Sequence, residues 1–350
     1  MGDQVEELLA LHRAFWAREN ARPLLQVSSG PRVEDLQQLR EPLGEGPLDP
    51  GQLDPARLVR PFAAAVRPGS DFFQPLAPPN MSWTEGMIGC PVWVTAGEST
   101  WAAPVDAGST MPAGLQLTAD NPWQLSLLRV LRVMVDLSAG RLPVAQPMMR
   151  GPSDMAGALL GQSRMCTEIY LHLGELKQLL QQCAELWAQS YRQQLLAIPP
   201  WHGGYCNVYG VWSPGTAMRL QEDTAALFSP RHYEEFLLPL DRLIAEAAEY
   251  PVMHMHSDSL RFVDLILAAA EIKAVQVAVD IPPFGPTASE LVPVLQKILA
   301  SKPLILYAYD PLTLDQAQDL TGQLPSEGLA LKINLVSERE AGAYRVWLGR

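Results

Sequence analysis

From about residue 121 the chain alternates two kinds of pattern. Stretches with apolar residues every three or four positions predict amphipathic helices at 121–139, 153–162, 165–196, 230–249, 258–270, 287–300 and 312–321. Ser229-Pro230 opens one of them with a capping hydroxyl and a proline that has no N–H to lose. Short β-like runs lie between, at Leu142–Met149, Tyr205–Val211, Val252–His256, Ala274–Asp280, Leu304–Tyr309 and Leu329–Leu335. Repeated strand–helix units predict a parallel sheet, and six of them plus a short run at Val92–Thr95 favour closure. The expected fold is α/β, a (β/α)8 TIM-type barrel over 121–350. Residues 1–120 are expected to be an N-terminal extension packed on it. A helix at about 3–20 opens that extension, and 15 of the 31 prolines fall before residue 123, leaving few regular patterns.

The alternation within the strands carries the functional reading. In Ala274-Val275-Gln276-Val277-Ala278-Val279-Asp280 the valines share one face, and Gln276, Ala278 and Asp280 the other. The same split groups Asn207 with Tyr209, His254 with His256 and Asp258, and Lys332 with Asn334. Polar groups repeated on one strand face near the C-terminal end are what a barrel active site requires. An ordinary half-exposed edge strand would account for one such run more readily than for four.

Composition narrows the class. Lys+Arg of 26 against Asp+Glu of 38 gives a net charge of −12, and no basic cluster offsets it, which argues against nucleic-acid binding. Four cysteines (Cys90, Cys166, Cys183, Cys206) without a CxxC spacing suit reduced thiols and a cytoplasmic location. The acidic, amphipathic start lacks a signal-peptide layout, and the most apolar stretch, Leu125–Leu137, carries Arg129 and Arg132; no membrane association is expected.

Three segments resemble the uroporphyrinogen decarboxylase-like superfamily, which holds the decarboxylase and the corrinoid-dependent methyltransferases. Gly151-Pro152-Ser153-Asp154-Met155-Ala156 with Leu159-Leu160-Gly161 is similar to its G-P-x-x-x-A…L-x-G element. Asp223, then Phe228-Ser229-Pro230-Arg231-His232-Tyr233-Glu234-Glu235-Phe236 and Pro239, is similar to its D…S-P-x-x-y-x-x-F…P element. His254-Met255-His256 stands where the methyltransferases carry His-x-Cys. The resemblance spans roughly 140–320 and implies a barrel enzyme. The decarboxylase's arginine-rich N-terminal signature is absent, and no cysteine follows Cys206 to complete a zinc–thiolate site. The expectation is a methyltransferase acting on a small methylated substrate, with a corrinoid carrier protein as the implied partner. A cofactor-free decarboxylase or lyase and a non-catalytic small-molecule-binding barrel are the alternatives.

His254 and His256, two apart on a strand, project to one side, either as ligands to one ion such as zinc or as interior hydrogen-bonding groups. Asp258 continues that side as a group that could orient an imidazole. Asp280, at a strand end before the proline-rich stretch 281–286, is a candidate base, ligand or substrate anchor, or a turn aspartate. If a metal binds, the further donor is expected from Asp258, Asp280 or Cys206. Catalysis is therefore assigned to His254, His256 and Asp280. Substrate contacts are expected from Trp83 and Glu85 as a lid, Arg150 as a carboxylate clamp, and Asn207, Tyr209, Asp223, Asp258 and Tyr307 around the mouth.

Overall fold

The computed structural model describes residues 2–30, 43–59, 62–95, 99–105, 111–280 and 285–349. Six strands form one all-parallel sheet. We label them in chain order β1 (Leu24–Ser29), β2 (Ala217–Gln221), β3 (Tyr250–Met255), β4 (Ala274–Ala278), β5 (Leu304–Leu312) and β6 (Leu329–Leu335). Across the sheet the order is β1-β6-β5-β4-β3-β2.

The observed elements follow the expected alternation after residue 121, with informative differences. The 165–196 stretch is two helices, Gln162–Leu171 and Leu173–Ala197, broken at His172. The 230–249 stretch passes through a π turn at Tyr233–Leu237 before Leu238–Ala245. Ser229 caps its start, accepting a hydrogen bond from the His232 N–H. Leu142–Met149 does not form a strand; it has one isolated parallel bridge, Val144 to Leu76. Of Tyr205–Val211 only Tyr205–Cys206 is a strand, paired antiparallel with Trp212–Ser213. Val92–Val94 belongs to a separate small antiparallel sheet with Thr100–Ala102.

The central sheet runs across the boundary expected at 120/121. β1 comes from the N-terminal part and pairs with β6 along its whole length, from Leu24↔Ala330 to Ser29↔Leu335. Leu24-Leu25-Gln26-Val27 follows Pro23 directly, so the signal was a short run hidden among prolines. Beyond the two edge strands, extended segments continue the layer. The Asp71 N–H donates to the Leu25 carbonyl, Leu76 bridges Val144, and Gly151 lies against the Gln221 carbonyl.

Register and alternation sort the side chains into two faces. Leu25, Met218, Leu220, Met253, Met255, Val275, Val277, Leu306, Leu331 and Ile333 pack in the large core with helix residues such as Leu180, Leu237, Ile266, Leu295 and Tyr344. The other face carries Gln26, Ser28, Arg219, Gln221, His254, Gln276, Tyr307, Lys332 and Asn334, set side by side by the pairs Gln221↔His254, His254↔Gln276, Tyr307↔Lys332 and Gln26↔Lys332. At its N-terminal end this face is closed by a second apolar cluster, Phe15, Leu24, Val252, Ala274, Ile305 and Ala330 among its members. The valine face of β4 is thus the helix-facing one, as the alternation predicts, and Gln276 is on the polar one. No helix among the described residues is long and apolar enough to cross a membrane.

Candidate active site

The site lies at the C-terminal ends of β2, β3 and β4. β2 reads Ala217-Met218-Arg219-Leu220-Gln221, so Arg219 and Gln221 share the polar face while Met218 and Leu220 face the helices. Asp223, just past the strand end, continues that side. On β3, His254 is buried; His256, one residue beyond the strand, is partly open, and the two rings are 4.8 Å apart and nearly perpendicular. Asp223, His254 and His256 each present one ligand atom, all within 4.8 Å of one another.

Each histidine is held by a different neighbour. The His256 Nδ1 is 3.1 Å from Asp280 Oδ2, whose carboxylate also accepts from the Ser257 N–H at 3.0 Å. The Asp280 hydrogen bond raises the His256 pKa above the usual imidazole value. Burial works to raise Asp280, but the bonds from His256 and Ser257 outweigh it and hold its carboxyl below the ordinary value. His254 contacts Gln276 Oε1 and the Tyr209 hydroxyl through Nδ1, the latter at 3.2 Å. Burial, helped by the charges of Arg219 and His256, lowers its pKa far below the ordinary value, so the ring is neutral. Two neutral-capable imidazoles and a carboxylate are a donor set that fits a tetrahedral zinc with its fourth position open.

A cleft of about 470 Å³ leads to Asp223; Glu85, Trp101, Arg150, Asp154 and Thr224 are among its walls. Arg150 donates to Glu85 at 2.6 Å, and Glu85 is almost wholly buried in the short helix Trp83–Met87. Arg150 is held protonated: burial opposes its charge, but Glu85 outweighs this.

Two of the three segments that carry the resemblance interlock beside this cleft. Asp154, in the first turn of the Pro152–Leu160 helix, accepts from the backbone N–H groups of Thr224 at 2.7 Å and Asp223 at 3.3 Å. In return Glu222 accepts from the Ser153 N–H at 2.8 Å and from its hydroxyl. Burial first, and then the Asp223 charge, raises Asp154 to about 7.

Of the residues expected in the site, His254, His256, Asp280 and Asp223 converge. Glu85 and Arg150 line the adjoining cleft as a pair. Asp258 is exposed at the turn after His256. Tyr209 is buried on His254, and Asn207 Oδ1 accepts from the N–H groups of Tyr209 and Val211 while its Nδ2 is buried without a hydrogen-bond partner. Trp83 is fully buried with its indole N–H on the Pro79 carbonyl, and Tyr307 is stacked on Tyr309 in the interior. Cys206 packs with Trp201 and Trp212 in a separate cluster, away from the histidines. Residues 281–284 lie outside the described residues. Arg219, Gln221, Asp154 and Glu222 were not singled out from the sequence, although the alternation of 217–221 into Asp223 was a signal for the first two.

No family model matches the chain, and no curated protein sequence matches it. Among solved structures the chain is similar to a methyltransferase from Methanosarcina mazei, with a TM-score of 0.60 and 15% identity over 97% of each chain. At that identity the likeness shows the fold alone, an α/β architecture around a parallel sheet.

Proposed function

We propose that the chain is a methyltransferase of the uroporphyrinogen decarboxylase-like type, whose sheet closes as a (β/α)8 barrel through the extended segments at 71–76 and 143–149. The observation that carries the reading is the convergence of Asp223, His254 and His256 at adjacent strand ends. These three residues would hold zinc, which when bound supplies a Lewis acid to a substrate heteroatom. His254 and His256 provide neutral nitrogens, Asp223 an oxygen, and Asp280 keeps the His256 ring oriented through Nδ1. The cleft beside Asp223 admits a small methylated substrate, with the Arg150–Glu85 pair offering one donor and one acceptor surface. A corrinoid carrier is the acceptor in this reading, and the cytoplasm its place.

The test is metal content after purification without a histidine tag, followed by zinc titration and by formation of methylcobalamin from cob(I)alamin with small methylated donors. One zinc per chain is expected, and His256→Ala should lose at least tenfold in zinc affinity and the methyl transfer with it. A wild-type protein without zinc and without affinity for added zinc would remove the metal from the reading.

A further inference from the structure

Arg219 is almost wholly buried, yet no carboxylate of the described residues is within ion-pair distance of it. Its charge is spent on neutral oxygens instead. Its Nε donates to the Tyr209 hydroxyl at 2.5 Å and its Nη1 to Gln221 Oε1. Gln221 in turn donates from Nε2 to Asp223 Oδ2, and the Tyr209 oxygen lies 3.2 Å from His254 Nδ1. The chain of bonds therefore starts at one member of the triad, Asp223, and ends at another, His254. A guanidinium has five donors and no acceptor, so its bonds have one direction: both Tyr209 and Gln221 must accept from it. That fixes Gln221 with its amide N–H groups turned to Asp223. It also fixes one lone pair of the Tyr209 oxygen.

The far end is fixed by Gln276. Its Oε1 contacts His254 Nδ1 and an oxygen can only accept, so with the amide in this orientation, which leaves Gln276 Nε2 buried without a hydrogen-bond partner, Nδ1 carries the ring proton. Nε2 is then a free lone pair, and Nε2 is the nitrogen that lies 4.0 Å from Asp223 Oδ1. We infer that Arg219, Tyr209, Gln221 and Gln276 are positioning residues that lock His254 in the Nδ1–H tautomer and hold Asp223 opposite its Nε2. They form one device that presents two ligand atoms at once. It deepens the proposed zinc site and rests on that reading for its purpose, while the tautomer itself is independent of any metal.

The experiment reads both. In metal-free protein with 15N-labelled histidine, the ring nitrogen shifts and their couplings report which nitrogen of His254 carries hydrogen; His254→Ala assigns the signals. Wild type should show the Nδ1–H form alone. Gln276→Leu, which removes the acceptor, should bring in the Nε2–H form, and Arg219→Met should broaden the mixture. Zinc affinity, measured against a chromophoric chelator, should fall about 10- to 100-fold in Arg219→Met and Gln276→Leu. Tyr209→Phe, which removes one hydroxyl, is the variant to read if Arg219→Met does not fold; it should lose a smaller part of the affinity. An Nε2–H ring in wild type, or variants with unchanged tautomer and unchanged affinity, would overturn the inference. If His254→Ala bound zinc as well as wild type, the zinc reading would fail, and the tautomer result would still decide the lock.

Discussion

At the scale of single residues, the structure explains why Gly151 precedes Pro152. A Cβ built at Gly151 would stand 1.9 Å from the Gln221 carbonyl oxygen and 2.6 Å from Glu222 Oε1. The first of these is backbone at the end of β2 and cannot swing away. Gly151→Ala must therefore push the start of the Pro152–Leu160 helix off the strand end, and overpacking of this kind costs about 1–3 kcal/mol. Urea unfolding should show the loss as a lower midpoint with an unchanged slope. Gly161→Ala is a useful contrast, because its Cβ would meet only the Pro104 ring at an ordinary 3.6 Å; its cost would come from a φ of +83°. In the sequence Gly151 stood out only through resemblance. Its physical reason, a carbonyl from a strand 70 residues later, is not visible without the fold.

At the scale of elements, legibility followed local periodicity. β4 was readable because valine alternates with Gln276 and Asp280 within seven residues, and the same parity placed His254 with His256. β2 has the same alternation and the same length of five residues, but its polar members, Arg219 and Gln221, read as a solvated stretch. Leu142–Met149 reads as a strand because its residues are apolar, yet Pro143 and Pro147 withhold two N–H donors and leave one bridge. The joint between elements was not legible at all, because it depends on Asp154 meeting β2. Asp154 accepts from Gly151, Asp223 and Thr224 backbone N–H groups. Asp154→Ala leaves those buried donors without a partner, at about 1–3 kcal/mol for each one not recovered by water. Asp154→Asn keeps one acceptor oxygen and should lose less. Because Asp223 is anchored through its own N–H, the alanine variant should also weaken zinc binding, and the asparagine variant much less so. Equal stability of the two variants would contradict the capping role.

At the scale of the whole molecule, a chain of net charge −12 buries three carboxyls where the Pro152–Leu160 helix, β2 and the Leu238–Ala245 helix meet. Asp154, Glu222 and Asp241 have no basic partner within ion-pair distance among the described residues. Glu222 Oε1 and Asp241 Oδ1 have no hydrogen-bond partner among the described residues, and the Asp241 charge raises the Glu222 carboxyl further. Burial is the main reason that Asp154 and Asp241 are pushed up to about 7 and Glu222 well above its ordinary value. An unfolded chain gives up such protons near pH 4, whereas the folded cluster keeps them to about pH 7. Between those limits the folded state binds more protons, so this contribution is complete below about pH 4 and is lost as the pH rises through about 7. For one such proton, the unfolding free energy should drop by roughly 3 kcal/mol from pH 5 to pH 8. Glu222→Gln removes one of the mutually repelling charges. It should flatten the profile by raising stability at pH 8 more than at pH 5. Denaturant midpoints at the two pH values, for wild type and variant, measure the difference. A wild-type profile that rises toward pH 8, or a Gln variant with the same slope as wild type, would show that the cluster is ionised in the folded state.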